Sequence, residues 1–451
     1  MITSNVLLCL GIALVAGLIS NRIIKLAHLP NVTGYLIVGI LLGPYLFGLI
    51  FPNYGGVLTK ELIEGFGVIV DLALGFIAFS IGSEFKLSSI KKLGKGIITI
   101  TFVQATCALL FVDIGLAVLC LALGTFTQNL PLVLTLGAVA TATAPAATLM
   151  VIKQYKARGP VTDILLPVVA FDDAVGLILY SLSFSIAQVF AKQYAGVEGA
   201  TINFYNLAVV PLLEIVISIG VGGLLGFVLT YCMRWFKSRA NRLMCMISAV
   251  VLGVACCKLF ADLIEIEVSS LLTCMMIGAV FCNLRDDAVH ILDGVERWTP
   301  PVFMLFFILS GAELNFSLMG NVMVIIICVV YLITRSLGKY FGARWGCTVV
   351  KKGGTVKKFL GLTLLPQAGV AIGMARSSSN AFSSIANSSA VSAVGQTYLL
   401  GLGSTLVAVV LCATLVYELF GPVVTKISLT KAGEIPLAKK TENTQSPTST
   451  N

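Results

Sequence analysis

Charged residues are scarce in this sequence. Only 11% of its 451 residues are Asp, Glu, Lys or Arg, against about 25% in an ordinary soluble chain. Hydrophobic residues make up 57%, and the mean hydropathy is +0.98. A soluble domain of this composition lacks the polar surface needed to cover its core. The composition therefore excludes a soluble globular protein and indicates an all-α polytopic membrane protein.

Residue patterns typical of metal and nucleotide chemistry are also missing. The two histidines, His28 and His290, both fall in predicted loops. The twelve cysteines form no CxxC pair and no Cys/His cluster, which is typical of small buried hydrophobes. No GxxxxGK[ST] motif occurs. We therefore expect a protein that is not an enzyme and that holds no cofactor or resident metal.

Thirteen apolar stretches are candidates to cross a bilayer as helices. These spans lie near 5–25, 32–49, 65–84, 96–122, 130–152, 163–191, 206–233, 243–260, 268–284, 302–318, 321–343, 357–376 and 393–423. The first has no basic n-region or small-residue cleavage site, so we interpret it as a retained helix. Residues 426–451 predict a disordered tail, with no soluble domain after span thirteen.

Basic residues concentrate on one side of this topology. Most of them follow odd-numbered spans, whereas Lys60, Lys192, Lys258 and Arg376 fall on the other side. The positive-inside rule then predicts a cell-membrane protein with its N-terminus outside and its C-terminus in the cytoplasm. The net charge of +9 is thus a topology signal and does not indicate binding to nucleic acid.

Two adjacent carboxylates interrupt the sixth span. Asp172 and Asp173 are the only charged residues in 164–191. An ionised Asp at the centre of a membrane helix costs about 2.5–3.5 kcal/mol on the mildest insertion scale. Neighbouring side chains on a helix point about 100° apart. The pattern predicts a cation or proton site in which one acid lines the ion path and the other faces a buried base.

Span eleven carries the candidate base. Arg335 lies too deep in its apolar run to reach the interface easily, so it needs a buried partner, for which the Asp pair is the obvious choice. Lys339 lies one turn nearer the cytoplasmic end, and we expect it to extend to the membrane surface.

The span count suggests two inverted six-helix repeats. Spans 1–6 and 8–13 are joined by one extra crossing, which inverts the second unit. Span three ends FSIGSEFKL and span ten ends ILSGAELNF, which places Glu84 and Glu313 at matching positions on opposite faces. Chance similarity of two apolar helix ends is the alternative explanation of this match.

Helix-breaking residues occur at mid-membrane in both repeats. Span five contains GAVATATAPAATLM, with Thr141, Thr143 and Pro145. Span twelve contains LTLLPQAGVAIGMA, with Pro366, Gln367 and Gly369. Proline removes a backbone donor, and the Thr hydroxyls can satisfy freed carbonyls or ligate a cation. Matched breaks favour a transporter site, and two independent proline kinks are the alternative.

At these residues the chain resembles the second family of monovalent cation:proton antiporters, with a sodium/hydrogen-exchanger membrane domain. The resemblance covers about residues 5–425. It depends on LPNVTGYLIVGILLGP, TATAPAAT, FDDA, TRSLGKYFGA and LLPQAGVAIG. Potassium-efflux relatives with a nucleotide-binding domain are matched only in their membrane part. The resemblance implies crossed discontinuous helices and exchange of Na⁺ or K⁺ for protons by alternating access.

The same resemblance implies roles for particular residues. Asp173 would carry the cation or proton, Asp172 would pair with Arg335, and Thr143, with Thr141 near it, would add ligands. An arginine in that position stays charged, so it would act as a fixed counter-charge.

The resemblance also implies a division of the chain and a homodimer. The scaffold and dimer parts would be 1–92 and 241–318, the moving core 93–195 and 319–425, and the linker span 196–240.

Other classes fit the residues less well. An intramembrane aspartyl protease needs its two acids on facing helices, and this pair is adjacent on one. A cation channel needs a filter, for which no short loop is seen. A transporter of another small solute on the same fold remains an alternative. Four further membrane acids are weaker candidates for a transport role: Asp71, Asp113, Glu214 and Glu418.

Overall fold

The structure is a computed structural model of the chain. It describes residues 6–26, 31–46, 57–88, 95–144, 148, 151–152, 155–197, 205, 209–264, 268–285, 287–312, 314, 321–388 and 391–435. Within these ranges every regular element is a helix. The all-α prediction is confirmed for this part of the chain.

The helices follow one another with short connections. In chain order they are α1 (Val6–Leu26), α2 (Asn31–Leu42), α3 (Lys60–Gly65), α4 (Gly67–Glu84), α5 (Lys95–Ala122), α6 (Phe126–Val139), α7 (Pro160–Tyr194), α8 (Val210–Trp235), α9 (Arg239–Ile264), α10 (Ser270–Leu284), α11 (Ala288–Trp298), α12 (Pro300–Ala312), α13 (Val322–Val349), α14 (Gly354–Thr363), α15 (Gly369–Ala386) and α16 (Ala393–Lys431).

Each of the thirteen predicted spans contains a described helix. Among the described residues, seven helical segments are long and apolar enough to cross a membrane: Val6–Ile24, Lys95–Ala122, Phe171–Tyr194, Leu212–Cys232, Arg239–Phe260, Val322–Val349 and Ala393–Lys431. Shorter apolar helices of 10–17 residues lie between them. The number of crossings and the inverted repeats stay predictions. His290, predicted to lie in a loop, lies in the short helix α11.

One face of α5 shows how the apolar surface is arranged. Its large exposed hydrophobic residues recur about every fourth position, at Ile98, Phe102, Leu110, Ile114, Val118 and Leu121. Its buried residues, among them Gln104, Ala108 and Val112, lie on the opposite side. A helix with an apolar stripe facing outward and its few polar groups facing inward is suited to lipid.

Close backbone contacts join α4 to α10 and α2 to α12. A Cβ added at Gly278 of α10 would lie 2.2 Å from the Phe79 carbonyl oxygen of α4. A Cβ added at Gly39 of α2 would lie 2.0 Å from the Ile308 carbonyl oxygen of α12. Phe79 and Ile308 are the first residues of the two similar helix ends noted in the sequence. The two contacts are therefore related in the way that the repeats predict.

A third close contact positions the polar residues of the membrane interior. Gly338, Gly342 and Gly346 recur every fourth residue along α13 and face α5. A Cβ at Gly342 would lie 2.8 Å from the Cα of Gln104. The approach of α13 to α5 brings Gln104 and Lys339 towards the same point of α7.

The tail prediction is wrong for its first ten residues. α16 continues to Lys431, and Gly433 ends it with a positive φ of +77°. Glu434 then folds back onto the N-terminus of α7 and is only 4% exposed. Its carboxylate accepts hydrogen bonds from the backbone N–H groups of Val161 (2.6 Å) and Thr162 (2.9 Å), and from the Thr162 hydroxyl (2.7 Å). Residues 436–451 lie outside the described residues.

Candidate ion-binding site

Two interrupted helices meet inside the protein. α6 ends at Val139, and residues 140–144 are not helical. α14 ends at Thr363, and α15 begins at Gly369 after the non-helical segment 364–368. Both predicted interruptions are therefore present, although Pro145 itself lies outside the described residues.

The two interruptions contact each other directly. The Ala144 N–H donates to the Pro366 carbonyl at 2.8 Å. The Thr143 hydroxyl donates to the Leu364 carbonyl at 3.3 Å. These bonds satisfy some of the polar backbone groups that the breaks release, and other carbonyls remain for neighbouring side chains.

Arg335 binds the carbonyls at both broken ends. Its side chain is fully buried, and its nitrogens donate to the carbonyls of Ala140 (3.1 Å), Ala142 (2.6 Å) and Leu365 (2.8 Å). Helix C-termini carry partial negative charge, and guanidinium has five donors in a fixed fork. Two such ends meeting in a membrane explain why an arginine is buried here. Its guanidinium also lies 4.5 Å from the Tyr417 ring centroid.

The predicted partner of Asp172 is wrong. Lys339, not Arg335, forms the ion pair, with its Nζ 2.8 Å from Asp172 Oδ2. Both side chains are 0% exposed, so the expectation that Lys339 extends to the surface is also wrong. Lys339 donates to the Thr141 carbonyl as well. Arg335 and Lys339 thus both donate to carbonyls at the break, and among the described residues Lys339 alone forms an ion pair with Asp172.

Gln104 completes the surroundings of Asp172, and sequence reasoning missed it. Its amide Nε2 donates to Asp172 Oδ1, so the two carboxylate oxygens each have a donor. Gln104 comes from α5 and Lys339 from α13, the helices joined by the glycine face described above. A lone amide within the apolar span four was the available signal.

Asp173 occupies the next position of α7 and is 5% exposed. Because both oxygens of Asp172 are held by donors from α5 and α13, Asp173 is the better candidate to exchange one small cation for another. Nothing in the described contacts tests its assigned role as carrier, which stays a prediction.

The predicted threonines bind backbone carbonyls. The Thr141 hydroxyl donates to the Ala138 carbonyl at 2.7 Å, and the Thr143 hydroxyl binds the opposite break. This arrangement is the first of the two roles left open for them. Each hydroxyl oxygen still has lone pairs for a cation, so the ligand role stays a prediction.

Gln367 also connects the two breaks. Its amide donates to the Val139 carbonyl at 3.1 Å and to the Tyr331 hydroxyl at 2.9 Å. Its side chain is 0% exposed. The Gln367 amide, which lies in the interrupted segment after α14, therefore satisfies a carbonyl in the last turn of α6.

Two other membrane acids, Asp71 and Glu418, have partners outside this cluster. Asp71 of α4 pairs with Lys258 of α9. Glu418 of α16 accepts a hydrogen bond from the Thr33 hydroxyl of α2 at 3.3 Å. Asp113 lies against Gly137, whereas Glu313 and the Glu84 side chain lie outside what the structure describes.

The fold and the site define an integral multi-pass membrane protein with paired buried charges where two interrupted helices meet. The model of the transmembrane domain of sodium/hydrogen exchangers matches residues 10–431. The chain belongs to this sodium/hydrogen exchanger family, as the resemblance predicted. A search of curated proteins gave no match.

Solved structures show the same fold. The sodium proton antiporter MjNhaP1 from Methanocaldococcus jannaschii, determined at pH 8, has a TM-score of 0.73 at 17% identity over 96% of this chain and 99% of that one. A structure from an electron-microscopy map of the same antiporter has a TM-score of 0.66 at 16% identity, covering 95% and 98% of the two chains. At these identities the likeness establishes the fold alone.

Proposed function

We propose that this protein is a secondary transporter that exchanges a monovalent cation for protons at Asp173. The observation that carries the proposal is the position of this buried acid beside a neutralised Asp172–Lys339 pair, where the two helix breaks meet. Family membership and the likeness to a protein described as a sodium proton antiporter favour Na⁺ as the cation.

Competition for one carboxylate supplies the coupling. An ionised carboxylate is costly inside the membrane, so binding of a proton or a metal cation at Asp173 is favourable. Binding of either ion excludes the other. A carrier that crosses only in the neutralised form must then return one ion for each ion delivered.

Lys339 adds a second proton to the scheme. Arginine stays protonated in proteins, but a buried lysine releases its proton when its ion pair opens. The sequence-based expectation of a fixed counter-charge assumed that Arg335 pairs with Asp172. With Lys339 in that position, we propose that opening of the Asp172–Lys339 pair releases a proton in addition to that from Asp173, so that exchange moves net charge.

Alternating access fits the way the helices pack. The contacts of Gly278 with Phe79 and of Gly39 with Ile308 support inverted repeats, because each is the counterpart of the other. In the proposal α5–α7 and α13–α16 form a moving core, and α1–α4 and α9–α12 form a scaffold, with α8 as linker. The homodimer that the resemblance implies stays a prediction.

Exchange in vesicles tests the proposed function. Everted membrane vesicles that contain the protein are acidified inside. A pH-sensitive dye then reports the pH of the lumen while Na⁺, K⁺, Li⁺ or choline is added. Alkalinisation with at least one metal cation and none with choline is expected. Protein that is inserted but gives no response to Na⁺, K⁺ or Li⁺ would overturn the proposal, and the order of responses identifies the cation.

A further inference from the structure

A second polar cavity lies farther along the helix that carries the two aspartates. It measures about 110 Å³ and lies between α7, α8, α10 and α15. Its polar lining includes Ser181, Ser185, Gln188, Glu214, Ser269 and Ser377. So many hydroxyl groups at one point of an apolar bundle are unusual, because each must find a partner away from water.

Glu214 gives this cavity its charge. Among the residues that line the cavity in the described part of the chain, it is the only acidic side chain. It is 8% exposed, and the Ser185 hydroxyl donates to its Oε2. Carboxylate and hydroxyl oxygens are the ligands that hard cations take. The single Ser185 hydroxyl proton lies within reach of Glu214 and of the Ser181 carbonyl (2.9 Å), and the Ser185 oxygen keeps its lone pairs.

The cavity is large enough for an ion. A site needs about 10–15 Å³ of such space to admit one water molecule, so about 110 Å³ accommodates a monovalent cation with part of its hydration shell.

The cavity lies on the outer side of Asp173 in the predicted topology. Ser181 follows Asp173 by eight residues on α7, which is about 12 Å along a helix. Glu214 and Ser269 lie at the beginnings of α8 and α10, ends that the predicted topology places at the outer face. The cavity therefore lies between Asp173 and the outside.

The cavity also lies where the proposed moving part meets the rest. Ser181 of α7 donates to Ser269 beside α10 at 3.4 Å, so core and scaffold each contribute part of the lining. A shift of α7 relative to α10 changes the distance between Ser181 and Ser269, and a shift of α7 relative to α8 changes the distance between Ser185 and Glu214. An ion held there would be released as the core moves.

We propose that Glu214, with the hydroxyls of Ser181 and Ser185, forms an outer recruiting site for the monovalent cation that is exchanged at Asp173. The inference rests on the proposed function, because the cation is the same one. It adds a carboxylate that lies outside the site on the two helix breaks. The site raises the local cation concentration on one side of the membrane, so it affects one direction of entry.

Sided transport assays test this site. Right-side-out vesicles expose the outer face to added Na⁺, and everted vesicles expose the cytoplasmic face. Glu214→Gln is expected to raise the Na⁺ concentration for half-maximal exchange about tenfold from the outer face, the effect of losing one charged ligand. The value from the cytoplasmic face should stay as in the unaltered protein. Ser185→Ala should shift the outer value in the same direction by a smaller factor.

Controls separate the site from general effects. Glu64→Gln removes an exposed carboxylate of α3 on the same predicted face, so it reports the surface potential alone and should change neither value. If Glu214→Gln fails to insert, Glu214→Asp and Ser185→Ala carry the test. Unchanged outer values, equal changes on both faces or a change confined to the cytoplasmic face would overturn the proposal. Absence of exchange in the unaltered protein would instead overturn the proposed function.

Discussion

At the scale of single residues, the structure separates the tasks of two buried cations on α13. Lys339 neutralises Asp172, whereas Arg335 binds three carbonyls at the two helix breaks. Removing one member of a buried ion pair leaves an uncompensated charge, which costs about 3–5 kcal/mol in soluble proteins.

We therefore expect Lys339→Gln to lower the thermal midpoint of the purified protein in detergent markedly. The double variant Asp172→Asn/Lys339→Gln should recover much of that loss, since no charge remains unpaired. In the matched double-mutant cycle of Asp172→Asn with Arg335→Gln, the decreases in thermal midpoint should be additive. Coupling with Arg335 in place of Lys339 would contradict the assignment.

Lys339→Arg isolates proton release from charge. The variant keeps a cation beside Asp172 but removes a group able to lose its proton. Na⁺/H⁺ exchange in proteoliposomes should continue, whereas the electrical signal from a membrane-potential dye should fall to near zero. Undiminished charge movement in this variant would show that Lys339 takes no part in proton transfer.

The sequence contains a signal that Lys339 is buried. Residues four apart lie on the same face of a helix, so burial of Arg335 implied burial of Lys339. Which of Arg335 and Lys339 pairs with Asp172 could not be predicted from the sequence, because it depends on which turn of α13 lies opposite α7. The functional importance of the Asp pair could be predicted, since packing does not explain two acids in an apolar run.

At the scale of helices, close packing at glycine sets the distance between α4 and α10. Gly278→Ala places a Cβ 2.2 Å from the Phe79 carbonyl oxygen, so the helices must separate. We expect a fall in thermal midpoint. Gly220→Ala on α8 is the control, because nothing lies within 4 Å of the added Cβ there and alanine favours helix. Equal midpoints for the two variants would contradict this account of the packing.

The Glu434 contact predicts local stabilisation of α7. Loss of an N-terminal cap costs about 0.5–2 kcal/mol, so Glu434→Ala should speed hydrogen exchange at Val161 and Thr162. Lys431→Ala, a change at an exposed neighbour, should leave that exchange unaltered. Fast exchange at these amides in the unaltered protein would show that the cap does not form.

Apolar runs and proline positions were sufficient to predict the apolar helices and both breaks, but not the short helices α3 and α11. The return of Glu434 to α7 was not predictable, because it is a contact between residues more than 270 positions apart with a polar sequence around it. Gly433 gave only the signal that a helix ends nearby.

At the scale of the whole molecule, the site holds two buried acids and two buried bases. Asp172 and Asp173 face a membrane interior that also holds Lys339 and Arg335, all of them at most 5% exposed. In this site Arg335 binds carbonyls at the helix ends, and Lys339 forms an ion pair with Asp172. This assignment of the two bases is the reason why we propose Asp173, and not Asp172, as the group that exchanges ions.

The most direct measurement compares two identical chemical changes on one helix. Asp173→Asn and Asp163→Asn both remove a carboxylate from α7, but Asp163 is exposed in the first turn. In proteoliposomes with equal amounts of inserted protein, Na⁺-driven proton efflux should be abolished by Asp173→Asn and retained in Asp163→Asn. Exchange by the Asp173→Asn protein at the rate of the unaltered protein would contradict the central claim.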